Sequence, residues 1–391
     1  MAKPQFRTLD EAVEVARSLA PKLRERVGEA EKIRQLPKQN VRDLLDSGLI
    51  DLETPRRFEG TELNLDALME VTAALAEGCS ATGWVYALWG AHVWLIGQYP
   101  LHIQEQVFND PDSLVSSVVS TEGTPMRVDG GFTWKGRGFF SSGVDHCNWL
   151  IAAVALDPTT PMGDRRWFLL RRSDFEIVDD WHTVGLRGSG SKTIAINDVF
   201  IPDERVIEQK PLSSGQGLGA QLHGGQLYCA AMDFTFSLPL GAPVIGIARA
   251  LSKSFEERMK SRLTGANTRL AGEQAATLTR FAKAGAEIEA ARALLMETAR
   301  RFCYMPGDQA SDLDKAECKR NVAYATQLAR GAANSIFEAS GGSNIYETKD
   351  VQRLWRDANV SAMHHGLMWD IHGLAYGRAA AGLSIMDTGV R

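Results

Sequence analysis

Apolar residues recur every three to four positions through the first hundred residues, the spacing that lays them along one face of a helix. TLDEAVEVARSLAPKLRERVGEAEKIRQ predicts a helix with Asp10 and Glu11 in its first turn, where the helix dipole favours negative charge. PKQNVRDLLDSGLIDL predicts another, opening on Pro37 and stopping near Gly48. NLDALMEVTAALAEGC and SATGWVYALWGAHVWLIGQYP follow, and the second is apolar nearly all round, as a buried helix is. From about Leu114 the period shortens. LVSSVVS, GGFTWKGRG, WLIAAVAL, RRWFLLRR and KTIAINDVFIP are β-branched or aromatic runs parted by Gly, Pro and Asp, the signature of strands and turns. After about Pro239 helical periodicity returns in four long stretches, the last being KDVQRLWRDANVSAMHHGLMWDIHGLAYG.

The pattern describes an α+β chain in three parts: an N-terminal helical domain over 1–112, a central β domain over 113–225 and a C-terminal helical bundle over 226–391. Strands and helices do not alternate and no GxGxxG is present, so a Rossmann fold is excluded. A length of 391 residues supports several packed subdomains, and 44% hydrophobic with 23% charged residues describes a globular protein. A net charge of −5 argues against nucleic acid as a partner. No apolar run in the sequence approaches the ~20 residues of a membrane span. The start MAKPQFRTLDEAVE lacks a signal-peptide core, so the expected location is cytoplasmic, with no membrane partner. Five scattered cysteines without a CxxC pair are expected to be reduced and structural, with no metal.

Candidate chemistry sits in three places. FFSSGVDHCNW, residues 139–149, sets two hydroxyls among aromatic residues, which suits a flat, polar ligand; a plain Ser-Ser-Gly turn is the alternative. His92 lies within an otherwise apolar helix and needs either a backbone partner or a task. Trp84 and Trp89 on the same helix either line an aromatic pocket or belong to the core. Near the end, RDANVSAMHHG places His364 and His365 side by side. RGSGSK, residues 187–192, lacks phosphate-loop spacing and reads as a β-turn, with Ser191 and Lys192 as weak candidates for a phosphate.

The order of helices, β-barrel-like domain and C-terminal four-helix bundle resembles the acyl-CoA dehydrogenase fold along almost the whole chain. Within that fold the words GCSATGWV, GAHVW, FFSSGVDHCNW, WHTVGLRGSGSKT, DVFIP, FEASGG and RLWRDA resemble oxygenase components of two-component flavin-dependent monooxygenases. That group includes the 4-hydroxyphenylacetate and secosteroid-phenol hydroxylases. The resemblance implies a monooxygenase that hydroxylates a phenol- or indole-type small molecule through a flavin C4a-hydroperoxide. It implies reduced FMN or FAD from a separate NAD(P)H-flavin reductase, O2 as co-substrate, and a homotetramer. It places Ser117, Phe140, Ser141 and Ser142 at the flavin, with Ser142 near N5. It gives His92 and His364 catalytic roles toward the substrate phenol and the reacting oxygen, and puts Trp84, Trp89, His92 and His365 in the substrate pocket.

Two departures bear on the substrate. Cys229 stands where some of these hydroxylases carry a cation, and the tail WDIHGLAYGRAAAGLSIMDTG differs from the phenol hydroxylases. The competing readings are an acyl-CoA dehydrogenase or oxidase and a non-catalytic structural protein of the same fold. The dehydrogenase reading is disfavoured because His365 stands where a carboxylate base would.

Overall fold

The structure is a computed structural model that describes residues 5–385 apart from 158, 160–162, 164 and 265–270; the last four residues of the tail quoted above, 386–389, lie outside the described residues. Six helices lead: α1 (Leu9–Glu25), α2 (Val27–Ile33), α3 (Lys38–Asp46), α4 (Leu65–Gly78), α5 (Ser80–Ile96) and α6 (Leu101–Phe108). The Thr8 hydroxyl caps α1 by accepting from Glu11 N, and Asp10 and Glu11 fill its first turn. The long amphipathic stretch read as one helix is two, parted at Arg26. Gly48 takes φ +75° just past α3, a left-handed stop that glycine adopts without strain. In α5 every residue except Leu88 is buried.

Nine strands follow: β1 (Val115–Val118), β2 (Ser120–Glu122), β3 (Met126–Val128), β4 (Gly131–Ser141), β5 (Trp149–Ala155), β6 (Arg165–Arg171), β7 (Glu176–Val178), β8 (Lys192–Pro202) and β9 (Val206–Glu208). They form a sheet ordered β1-β5-β6-β9 and a second ordered β2-β4-β8-β7, with β3 added to β4. Strand alternation divides the first sheet cleanly. Leu150, Ala152, Phe168 and Leu170 meet the second sheet in a small core. Val115, Ile151, Ala153, Trp167 and Leu169 face the main core, which the helices dominate.

Residues 209–223, read with the β segment, form two short helices instead, α7 (Gln209–Ser213) and α8 (Leu218–His223). The bundle comprises α9 (Met232–Thr264), α10 (Ala271–Phe302), α11 (Asp312–Ala339), α12 (Asp350–Ser361) and α13 (Trp369–Ala380). Part of α9 is long and apolar enough to cross a membrane, but 89% of that apolar window is buried inside the fold. The closing stretch expected to be one helix breaks between α12 and α13, so His364 leaves the α-helix to cap a single 3-10 turn, His365–Leu367, whose first residue is His365. Local bonds stabilise the break. The His364 ring accepts from Gly366 N at 3.1 Å, and His372 of α13 donates to the His365 carbonyl at 3.2 Å.

Candidate active site

The connection between β4 and β5, which joins the two sheets, sets the geometry. A register shift at the end of β4 puts Phe140 at φ +64°, a left-handed conformation that is rare for a bulky residue and costs of order 1 kcal/mol or more. Its ring, 67% exposed, meets Trp181 edge-on at 6.3 Å. Gly143 then turns the chain at φ +70°, and a Cβ there would lie 2.6 Å from Val85 and 2.8 Å from Trp89. Only glycine lets this connection sit so close to α5.

That contact brings Ser142 onto α5. Its hydroxyl accepts from Trp84 Nε1 at 3.3 Å and lies 2.7 Å from the hydroxyl of Ser191, which is 2.8 Å from that of Ser189. A hydroxyl accepts two bonds and donates one. With the chain running Ser189 to Ser191 to Ser142, the Ser142 hydrogen is left free for a ligand. The other side of Trp84 packs edge-on against His364, ring centroids 5.6 Å apart. One tryptophan thus joins two residues 222 positions apart in sequence, Ser142 and His364.

The two candidate catalytic histidines have opposite polarity. His92 is 1% exposed; its Nδ1 donates to the Val115 carbonyl at 2.7 Å, which leaves Nε2 as a buried lone pair with no protein partner. Burial lowers its pKa to about 4, only partly offset by the Val115 bond, so it is neutral at pH 7. His364 has its Nδ1 lone pair engaged by Gly366 N, so its neutral form carries the proton on Nε2. The residue is open to solvent on one side. Crowding by protein on the other side, then His365 and His372, hold its pKa below the ordinary histidine value. His92 therefore offers an acceptor, and His364 a donor.

Other sequence expectations fall unevenly. Ser117 faces the same side of the sheet as Val115 and Ile151, and is only partly buried, so it opens toward the helices. Ser141 is corrected at its side chain: fully buried, its hydroxyl lies 2.8 Å from that of Ser116 and ties the end of β4 to β1. Trp89 is 2% exposed and packs beneath Gly143. His365 is exposed and meets His372 edge-on at 6.3 Å. Lys192 is held by Asp145 at 2.8 Å and Asp179 at 3.2 Å, so its ammonium anchors the turn and is not free for a phosphate. Asp357 of RLWRDA accepts from Leu186 N at 2.7 Å, and Arg356 donates to the Val184 carbonyl, fixing the loop before that turn.

Sequence reasoning missed Leu88 and Phe236, and it raised Ser191 only as a weak phosphate candidate, whereas its hydroxyl bonds that of Ser142. Leu88 had a readable signal, lying midway between Trp84 and His92 at spacings of four. Phe236 comes from a remote segment and had none.

The residues present fit a flavin. Phe140, Val184 and Met363 are 67%, 62% and 67% exposed, an unusual apolar rim beside a buried polar group, as a flat amphipathic ring requires. Phe140 and Ser117 would flank such a ring, and the Ser142 hydroxyl could donate to one of its nitrogens.

Comparison with known proteins agrees with this geometry. The family model described as "Acyl-CoA dehydrogenase, C-terminal domain" matches residues 238–369. The flavin-dependent monooxygenase, oxygenase subunit HsaA, of Rhodococcus jostii (strain RHA1) is 30% identical over 378 residues, covering 95% of this chain and 98% of the relative. The FADH(2)-dependent resorcinol hydroxylase, oxygenase component, of Rhizobium sp. (strain MTP-10005) is 30% identical, covering 91% of this chain and 90% of the relative. The crystal structure of 3-HSA hydroxylase from Rhodococcus sp. RHA1 superposes with a TM-score of 0.91 at 29% identity, covering 97% of this chain and 100% of that one. With the fold, the hydroxyl chain after β4 and full-length similarity in agreement, the chain belongs to the oxygenase components of the flavin-dependent monooxygenases, built on the acyl-CoA dehydrogenase fold.

Proposed function

We propose that the enzyme hydroxylates an aromatic or heteroaromatic small molecule of phenol or indole type, using O2 and reduced FMN or FAD delivered by a separate NAD(P)H-dependent reductase. The observation that carries this reading is the pair of neutral histidines with opposite tautomers, His92 on the same helix as Trp84 and His364 packed against that tryptophan. The bound reduced flavin supplies the two electrons and the activation of oxygen that the reaction needs. One oxygen atom replaces an aromatic hydrogen as a hydroxyl, and the other leaves as water.

Each residue has a distinct task in this account. His92 Nε2 accepts the hydrogen of a substrate hydroxyl, raising electron density at the neighbouring ring carbons. His364 Nε2–H donates to the reacting oxygen as it is transferred. Ser142 holds the flavin through its free hydrogen, while Trp84 and Leu88 keep water from the space between. Phe140 and Ser117 bound the flavin ring. His365, turned to His372, is peripheral to the chemistry.

The assembly belongs to the same proposal. Ile345, Tyr346, Met368, Trp369, Leu374 and Tyr324 are exposed apolar residues on the bundle and its break, and a homotetramer would cover them.

The test compares two adjacent residues. His364→Ala should lower hydroxylation of a responsive phenol or indole by ~10²–10⁴, the worth of one placed proton donor, and His365→Ala should change it little. The reverse ranking, with flavin reduction by an acyl thioester, would favour a dehydrogenase.

A further inference from the structure

Four rings meet deep beside the site. Phe236 of α9 has His92 at a centroid distance of 6.4 Å, Trp94 at 6.3 Å and Trp167 at 5.4 Å. Trp94 satisfies its indole N–H on the Leu227 carbonyl at 2.9 Å. Trp167 Nε1 and His92 Nε2 are both buried without a protein partner, one a donor and the other an acceptor. A folded chain seldom leaves such groups unmade, because each forfeits its bonds to water. Buried atoms of complementary sign against one ring are what a polar aromatic ligand would satisfy.

The two orphaned groups are held in place. The Trp167 carbonyl accepts from Tyr99 at 2.9 Å, and its strand pairs with Ala153 on one side and Ile207 on the other. His92 is fixed by Val115. Phe236 is the one member of the cluster only half-buried. It lies just before Pro239, which has no N–H to offer the Thr235 carbonyl, so its turn of α9 is the less constrained side.

We propose that the substrate ring takes the place of Phe236 beside His92 and Trp167, and that the substrate carries two polar groups. One is a hydroxyl donating to His92 Nε2; the other is an oxygen or nitrogen accepting from Trp167 Nε1. This rests on the reading above that His92 holds the substrate hydroxyl. Trp167 is then a specificity-determining residue that separates two-group aromatics from simple phenol.

The experiment measures dissociation constants by calorimetry under nitrogen, with the protein saturated in reduced FMN and with phenol, resorcinol and hydroquinone as probes. The parent should bind one of the dihydroxybenzenes about tenfold more tightly than phenol, as expected when a buried donor gains its partner. Trp167→Phe keeps a ring and removes the donor, so it should abolish that preference while leaving phenol affinity within about twofold. Phe236→Ala should tighten binding of all three probes and keep the preference, since no ring need be displaced. The proposal is overturned if the parent shows no preference, if Trp167→Phe retains it, or if Phe236→Ala leaves every affinity unchanged. The two readings fail separately. A preference that depends on Trp167, without hydroxylation of any probe, sinks the hydroxylase reading alone; hydroxylation of phenol with no role for Trp167 sinks this one alone.

Discussion

A neutral imidazole accepts or donates according to which nitrogen keeps its proton, and here the backbone makes that choice twice. Val115 O takes the Nδ1 proton of His92, while Gly366 N takes the Nδ1 lone pair of His364. The first choice has a measurable consequence for stability. His92 titrates near 4 when folded and near 6.5 when unfolded, so between those values the unfolded chain binds the extra proton. Stability therefore rises with pH across this window, and this one residue accounts for a loss of order 3 kcal/mol as pH falls from 6.5 to 4. His92→Gln should give a shallower dependence of the urea midpoint on pH over that range, the remainder coming from other histidines such as His372, whose pKa burial also lowers. An unchanged slope would show that His92 is not the buried neutral group described. Much of this residue was legible in sequence, since a histidine amid Ala, Val, Trp and Leu must answer for its burial. Its tautomer was not, because Val115 lies on a strand 23 positions away. Likewise Ser-Ser-Gly announced hydroxyls near a ligand, but only the register shift in β4 shows that Ser142 faces the site and Ser141 does not.

Among elements, those set by local periodicity were readable and those set by tertiary contact were not. The runs GGFTWKGRG, WLIAAVAL and KTIAINDVFIP lie in strands β4, β5 and β8, because β-branched and aromatic residues between Gly and Asp leave few alternatives. The all-round apolar stretch is the buried α5. The misreading of α12 and α13 as one helix has a specific cause. Apolar spacing continues through Val360, Leu367 and Ile371, and the break depends on His364 capping Gly366 and on His372 reaching back to His365. Neither bond follows from a repeat of 3.6 residues. The break matters to function, since it lifts His364 off the helix and seats it against Trp84. The turn before β8 shows the reverse case. Its sequence suggested a phosphate cradle only weakly, and the structure gives Lys192 to Asp145 and Asp179.

For the whole molecule, the helix–sheet–helix order carried the fold, and ordered short words carried the family; the proposed substrate pocket was hidden because its side chains come from α5, β6 and α9, which lie far apart in sequence. The proposed homotetramer would cover the exposed apolar residues of the bundle, so sedimentation at micromolar concentration should return about four times the 42.8 kDa chain mass, and a monomer would contradict it. The central claim is that His92 holds an aromatic substrate while oxygen is transferred to it. Oxygen consumption, product and hydrogen peroxide should be measured together, with reduced FMN and the best substrate from a panel of phenols and indoles. The parent should convert most of the oxygen it consumes into hydroxylated product. His92→Ala should consume oxygen at a similar rate, release it as hydrogen peroxide and form ~10²-fold less product or lower still. Coupled product formation at the parent's level in His92→Ala would contradict the account.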